Sequence, residues 1–163
     1  MCGVLNTAPF YQGVLRSQQD CVSLYSDATL LDNVPGHFPP DDTGSSGLAA
    51  ARAAQKRGWL RAYHHAFTFQ EALASLMHGP ALLGINWYDG FDVPSGHHGE
   101  LVIGGECRGG HEVAVTEIDV LAKTVRGVNS WGPSWGDKGY WSMSWATLER
   151  LLAEQGDFLV PIL

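Results

Sequence analysis

The segment Gly110–Val115 reads GHEVAV, and the segment Asn129–Tyr140 reads NSWGPSWGDKGY. His111 opens the apolar run of the first segment, and Asn129 directly follows a second apolar run. Short runs rich in valine predict β-strands, and the glycines and proline after Asn129 predict a tight turn. The spacing therefore places the histidine and the asparagine side by side on the two strands of a hairpin.

His111 and Asn129 are candidate site residues because of what their side chains can do together. An imidazole can take a proton from a nucleophile, and an amide oxygen bonded to one ring nitrogen leaves the other nitrogen for that transfer. Thiol-based acyl transfer needs these two groups and a thiolate. For His111 alone, the alternative is a buried histidine with a structural hydrogen bond.

The order of these motifs resembles the C-terminal half of the papain-like cysteine peptidases. That family has a Gly/Asn-His-Ala-Val strand, then Asn-Ser-Trp-Gly, a second Trp-Gly and a Gly-Tyr; Glu112 stands here where the family usually has a small residue. The resemblance implies that His111 is a general base oriented by Asn129. It also implies that Trp131 shields their hydrogen bond and that Trp135 borders the leaving-group side of a cleft.

The resemblance continues less specifically into the first half of the chain. The segment 42–47, DTGSSG, resembles the family's glycine-bearing loop, which implies that Gly44 and Ser45 bind the backbone of an extended substrate. The alternative for this segment is a turn and a helix cap. The segment 78–85, HGPALLGI, is similar to the family's Gly-Pro-Val strand. Strings such as those at 84–88 and 108–112 also resemble short papain-like proteins of actinobacterial phages.

The nucleophile is harder to assign than its base. The family places its cysteine at the N-terminus of a central helix, where the helix dipole and backbone N–H groups favour a thiolate. Cys2 lies at nearly the right distance from the Gly44 loop, but only Met1 precedes it, without the family's oxyanion-hole glutamine. Cys21 lies on the apolar face of a predicted helix, which favours a core role. The phage resemblance implies a nucleophile upstream of Met1, with this chain starting inside the central helix.

Three other functional classes match parts of the sequence. A papain-like binding module that lacks the nucleophile is the main alternative to a peptidase. An N-terminal-nucleophile amidotransferase would begin as Met1–Gly3 does, but nothing after Gly3 supports it. A metal site is the third class, although the spacing of its candidate ligands matches no common zinc pattern, and we expect no metal; those ligands are His97, His98, Cys107 and His111.

The composition narrows the partners. The formal charge of −7 and the scattered lysines and arginines argue against nucleic acid. The sequence has no secretory signal, long apolar run or lipidation motif, so we expect no membrane partner. Three irregularly spaced cysteines fit a reducing, cytoplasmic environment. The peptidase resemblance implies a peptide or protein substrate and no cofactor, and nothing in the sequence specifies an oligomeric state.

Helical patterns precede strand patterns, which predicts an α+β fold. We expect one papain-like domain, in which a helical half (1–79) packs on an antiparallel β-rich half (80–163) with a cleft between them. Helices are predicted over 1–8, 17–31, 47–57, 68–77 and 144–153. Ser17 and Ser144 are predicted N-caps, and Thr68 with Glu71 predicts a capping box. Strands are predicted over 81–88, 101–103, 111–121, 124–128, 139–143 and 158–163.

Overall fold

The structure, a computed structural model, describes residues 1–7, 9–11 and 13–163. Six strands form its sheet: β1 (Ala62–Ala66), β2 (Ala81–Tyr88), β3 (Cys107–Asp119), β4 (Thr124–Val128), β5 (Tyr140–Ser144) and β6 (Asp157–Ile162). They lie in the order β1-β6-β2-β3-β4-β5, and all neighbouring pairs are antiparallel. Strand β3 pairs with β2 at His111, opposite Ile85, and with β4 only from Ala114 onward, so the described sheet leaves one side of β3 open at His111.

Five α-helices and one short 3₁₀ helix complete the described fold: α1 (Cys2–Leu5), α2 (Gln18–Thr29), α3 (Gly47–Lys56), α4 (Phe69–Leu76), α5 (Trp145–Ala153) and the 3₁₀ helix Asp89–Phe91. The predicted caps are present. Thr68 and Glu71 form a reciprocal capping box at α4, Ser17 accepts from the backbone of α2, and Ser144 caps α5. These side chains satisfy N–H groups that a helix end leaves without partners. No helix in the described residues is both long and apolar enough to cross a bilayer.

Helix α3 connects the helical part of the molecule to the sheet. It contacts α2 on one side and strands β2 and β6 on the other. Its buried positions are small, Ala49, Ala51, Ala53 and Ala54. Small side chains allow a close approach between backbones, and the Gly47 N–H at the N-terminus of α3 donates to the side chain of Glu112 on β3. Beneath it, Leu83, Val115 and Phe158 are fully buried in the sheet's core.

The predicted α+β arrangement is confirmed: α1, α3, α4 and α5 contact one antiparallel sheet, and α2 packs on α3. The predicted division of the domain at residue 79 stays a prediction. Strand β1 lies before this position and pairs with β6, which lies after it. Helix α1 ends at Leu5, and Ala8, which the predicted first helix included, lies outside the described residues.

Two features of the sheet differ from the sequence prediction. The predicted strand at 101–103 is irregular: the Leu101 N–H donates to the Ser142 carbonyl at 2.8 Å, but no ladder follows. The apolar side chain of Leu101, which suggested a strand, is buried in the core although the residue is not part of one. Strand β1 was not predicted, since its AYHHA sequence is short and polar and its partner β6 is distant in sequence.

Candidate active site

His111 and Asn129 contact each other across neighbouring segments. The His111 Nε2 atom lies 2.9 Å from the Asn129 Oδ1 atom. Strands β3 and β4 pair Ala114 with Val128, so Asn129 continues the register opposite Val113 and diagonally from His111. Diagonal neighbours on one face of a sheet are within reach of long side chains. The predicted hydrogen-bonded contact between the two side chains is confirmed.

The backbone of Ser130 determines the direction of that hydrogen bond. The Ser130 N–H donates to Asn129 Oδ1 at 2.7 Å. A backbone N–H can only donate, so this contact orients the Asn129 amide with its oxygen towards His111. His111 Nε2 must then be the donor, and a neutral ring carries its acceptor lone pair on Nδ1. This is the tautomer that a general base needs if its Nδ1 atom is to accept a proton.

Asn129 is held at a cost to stability. Its side chain is buried, and among the described residues its Nδ2 atom has no hydrogen-bond partner. An unsatisfied buried donor costs on the order of 1–3 kcal/mol. An apolar residue of similar volume would avoid that cost, so the asparagine is better explained by what its oxygen does for His111.

Tryptophans surround the His111 ring. The Trp131 centroid lies 5.0 Å from the imidazole centroid, and the Trp87 centroid lies 4.6 Å from it. Trp131 is 43% exposed, whereas Trp87 and Trp135 are buried, and the predicted shielding of the pair by Trp131 stays a prediction. The Trp135 indole N–H donates to the Phe91 carbonyl at 3.2 Å, which anchors it in the core. Its predicted position beside a leaving group stays a prediction.

Sequence reasoning assigned no role to Trp87. Strand β2 pairs Ile85 with His111 and Trp87 with Gly109, so Trp87 lies on the same face as the histidine. The Trp87 indole N–H donates to Asp92 Oδ1 at 2.9 Å. The period of two along β2 was visible in the sequence, but the register against β3 was not.

The turn after Asn129 is rigidly closed. The Asn129 N–H donates to the Gly139 carbonyl at 2.9 Å, and the Gly139 N–H donates to the Trp135 carbonyl at 2.7 Å. Arg126 on β4 binds the Asp137 carboxylate at 2.8 Å, and this contact lowers the pKa of Asp137. These contacts fix the segment that presents both Asn129 and Trp131.

His111 lines an open cleft of about 820 Å³ between the helical segments and the sheet. Of the other predicted site residues, Cys2, Gly44 and Ser45 also line it. Asn129, Trp131 and Trp135 are not among its described lining residues and pack around His111 or one another instead. A second depression, of about 790 Å³, lies over β3, β4 and β5 and contains none of the predicted site residues.

The Gly44–Ser45 loop is fixed from below by α2 and the segment after it. The Gly44 N–H donates to the Tyr25 hydroxyl at 2.9 Å, and Tyr25 in turn donates to Asp42. Ser45 donates to the Asp32 carboxylate. A substrate backbone that pairs with the Gly44 N–H, as the resemblance implies, would have to displace the Tyr25 hydroxyl.

Cys2 is in the cleft wall but is not activated there. It is the first residue of α1 and only 6% exposed. Burial, with the neighbouring Cys21 thiol as a second cause, raises the pKa of Cys2 to about 12. A thiol in such surroundings is protonated at neutral pH and is a poor nucleophile. Cys21 is partly buried and lines the same cleft, and Cys107 is exposed at the start of β3.

A carboxylate pair in the cleft was also missed from the sequence. Glu112 follows His111 on β3, and its nearest acidic neighbour is Asp157 at the start of β6. Burial, followed by the charge of Asp157, raises the pKa of Glu112 to about 7.

Within residues 1–7, 9–11 and 13–163, no three His, Cys, Asp or Glu side chains lie close enough together to hold a metal ion.

Comparison with known proteins identifies the fold. Xylellain, a cysteine protease from Xylella fastidiosa, superposes with a TM-score of 0.53 at 23% identity, over 77% of this chain and 49% of that one. Bromelain from Ananas comosus, in complex with the E64 inhibitor, gives 0.58 at 16% identity over 94% and 81%. Procathepsin L 3 from the larval midgut of Tenebrio molitor gives 0.62 at 14% over 99% and 60%.

The chain spans about half the length of the xylellain chain and 60% of the procathepsin chain. No protein-family profile matches the sequence, and no curated protein matches it. The likeness is therefore one of backbone architecture, and it agrees with the α+β arrangement described above. The chain has the papain-like cysteine protease fold.

Proposed function

We propose that this chain is a papain-like cysteine peptidase domain that hydrolyses peptide bonds in a peptide or protein substrate. The observation on which this proposal rests is the His111–Asn129 hydrogen bond beside an open cleft, in which the Ser130 N–H orients the amide. A buried asparagine that leaves its own Nδ2 without a partner supports a functional pairing, as argued above.

The proposed reaction proceeds in two steps. A thiolate attacks the scissile carbonyl carbon, and the His111 imidazolium gives its Nδ1 proton to the leaving amine as the C–N bond breaks. Water then attacks the thioester, Nδ1 takes the water proton, and the C–S bond breaks to release the acid and the thiolate. Asn129 holds the ring throughout, and Trp131 limits the access of water to the Nε2–Oδ1 hydrogen bond.

The thiol has two proposed sources. Cys2 lines the cleft with His111, and substrate binding would have to bring its sulfur to Nδ1 and lower its raised pKa. A residue upstream of Met1 is the other proposed source, which only the phage resemblance implies.

The burial and the raised pKa of Cys2 favour a second function. A buried thiol with a raised pKa supports a papain-like module that binds peptides without cleaving them. The cleft, its loop and the His111 pair would then serve recognition alone.

Hydrolysis of quenched fluorescent peptides by a series of variants tests the peptidase. Loss of a general base costs about 100- to 10,000-fold in rate, so His111→Ala should abolish cleavage, and Asn129→Ala should reduce it. Cys2→Ala removes activity only if Cys2 is the nucleophile, and Cys107→Ala is the matched control at an exposed thiol. An N-terminally extended protein whose activity survives Cys2→Ala would assign the upstream source. Peptide binding with no cleavage by either protein would establish the binding module.

A further inference from the structure

Two carboxylates flank a glycine in the sheet beneath the cleft. Gly84 on β2 is paired with Glu112 on one side and with Asp157 on the other. A Cβ atom at position 84 would lie 2.6 Å from Glu112 Oε1 and 3.3 Å from the Asp157 Cβ. Only a residue without a side chain leaves room for both acids on this face.

The N-terminus of α3 meets the same pair from the helical side. The Gly47 N–H donates to Glu112 Oε1 at 2.9 Å. A Cβ atom at position 47 would lie 2.9 Å from Asp157 Oδ2 and 3.0 Å from Glu112 Oε1. Both carboxylates therefore occupy space that two glycines leave free of side chains.

Among the described residues, no lysine or arginine forms an ion pair with either acid. Glu112 Oε2 is buried and has no hydrogen-bond partner among the described residues. His65 on β1 contacts Asp157 Oδ1, on the atom that does not face Gly47. The Met1 amino group also lies near Glu112, but burial lowers the pKa of that amine and so favours its uncharged form.

Both acids line the same cleft as His111, and no lysine or arginine is among the described residues that line it. Next to the acids the wall is apolar. Leu82 lies two residues before Gly84 on the same face of β2, and Leu24 and Ala28 of α2 line the cleft with it. Acids at the end of an apolar wall suit a long cationic side chain, which packs its methylenes on apolar surface and keeps its charge at the tip.

We infer that Glu112 and Asp157 form a subsite that binds the side chain of a lysine or arginine in the peptide that occupies the cleft. Glu112 Oε2 supplies the free acceptor for the cationic N–H groups, and Asp157 supplies the second negative charge. Hydrogen bonds between charged groups are about twice as strong as neutral ones, so the subsite discriminates against uncharged side chains of equal length. The inference rests on the proposed function only in requiring that the cleft bind a peptide, whether or not it cleaves it.

Equilibrium binding of short peptides tests the subsite without catalysis. Fluorescein-labelled alanine hexapeptides carry lysine, arginine, norleucine or glutamate at each position in turn, and anisotropy gives Kd. At one position, lysine or arginine should bind at least tenfold more tightly than norleucine, and glutamate should bind weakest. An N-terminally extended protein repeats the comparison without a free amine at Met1.

Variants assign the preference to the two acids. Glu112→Gln and Asp157→Asn keep the shape of each side chain and should each reduce the preference over norleucine, and the double variant should remove it. Glu117→Gln, at an exposed acid on the same strand, is the control and should keep it. Circular dichroism confirms that each variant is folded.

The outcomes separate this inference from the proposed peptidase. A lysine or arginine preference in a protein that never cleaves peptides supports the subsite and contradicts the peptidase. Cleavage, or tight binding, with equal affinity for lysine and norleucine at every position overturns the subsite and leaves the peptidase standing. Failure of all the peptides to bind overturns the subsite as well, since the wild-type comparison needs no variant to fold.

Discussion

At the scale of single residues, the site depends on which atom of each side chain carries hydrogen. The Ser130 N–H orients the Asn129 amide, and the amide in turn requires a hydrogen on His111 Nε2. Nothing in the contact is strong by itself, since a neutral hydrogen bond contributes about 1 kcal/mol net. Its value is that it selects one tautomer of the ring.

That selection can be measured directly. We expect ¹⁵N NMR of labelled protein at a pH where His111 is neutral to show hydrogen on Nε2, and Asn129→Ala to give a mixture of tautomers because the acceptor is lost. Asn129→Asp keeps an acceptor oxygen and should restore the Nε2–H form. A ring that carries its hydrogen on Nδ1 in the wild-type protein would contradict the proposed base.

The three thiols should differ in reactivity. Because burial raises the pKa of Cys2 from 9.0 to about 12, its thiolate fraction at neutral pH falls about a thousandfold. Iodoacetamide followed by mass spectrometry should label the exposed Cys107 first and Cys2 last. Fast labelling of Cys2 that slows in His111→Ala would instead identify Cys2 as an activated nucleophile.

Glu112 should make the stability of the protein depend on pH. Its pKa is raised from 4.5 to about 7 in the folded state, so the stabilisation from its bound proton is complete below about pH 4.5. It is lost as the pH rises through about 7, a loss of at most about 3 kcal/mol. We therefore compare the free energy of unfolding of Glu112→Gln with that of the wild type by urea denaturation. The difference in favour of the variant should be larger at pH 8 than at pH 4.5. Glu117→Gln should show no such trend.

At the scale of elements, the hairpin of β3 and β4 and the turn after it position the pair. Gly136 is indispensable to that turn, since its φ is +57° and a Cβ atom there would lie 2.4 Å from the Tyr140 carbonyl oxygen. Gly132 has a φ of +84° but no atom within 4 Å of its Cβ position. Substitution of Gly132 therefore tests the cost of the backbone conformation alone, and substitution of Gly136 tests that cost together with a steric clash.

We expect Gly136→Ala to destabilise the protein by more than Gly132→Ala. The second change costs about 1 kcal/mol for a left-handed conformation, and the first adds a clash with backbone that cannot move without disturbing Asn129. Thermal unfolding measures both costs, and NMR of His111 reports on the pair. Equal destabilisation by the two variants would show that the turn adapts to the clash.

The sequence specified the elements that depend on local chemistry. Thr68 with Glu71 predicted the start of α4, and the spacing of His111 and Asn129 predicted their contact, because both signals lie within one helix end or one hairpin. The pairing of Gly84 with Glu112 and Asp157 depends on the register of three strands that are far apart in the chain. Period-two alternation gives a strand its faces but not its register against a distant partner, and β1 was missed for the same reason.

At the scale of the whole molecule, the net charge of the chain and the charges of the acids in the cleft have the same sign. The chain has a formal net charge of −7, and the described lining of the cleft includes two of its acids, Glu112 and Asp157, but no lysine or arginine. A low-dielectric cleft of one sign concentrates ligands of the opposite sign and speeds their association. The net charge thus favours the same cationic peptides that the proposed subsite would hold.

This agreement predicts how salt changes binding. Raising the ionic strength from about 0.1 M to about 1 M shortens the Debye length from about 10 Å to about 3 Å, which screens the exposed charges more than the partly buried pair. Stopped-flow measurements should show the association rate of a lysine peptide falling with salt while that of its norleucine counterpart changes little. Glu112→Gln with Asp157→Asn should mainly raise the dissociation rate of the lysine peptide, because rim charges act on association and buried partners act on dissociation. An unchanged dissociation rate in that variant would mean that the distributed charge of the molecule, and not the pair beneath the cleft, holds the cation.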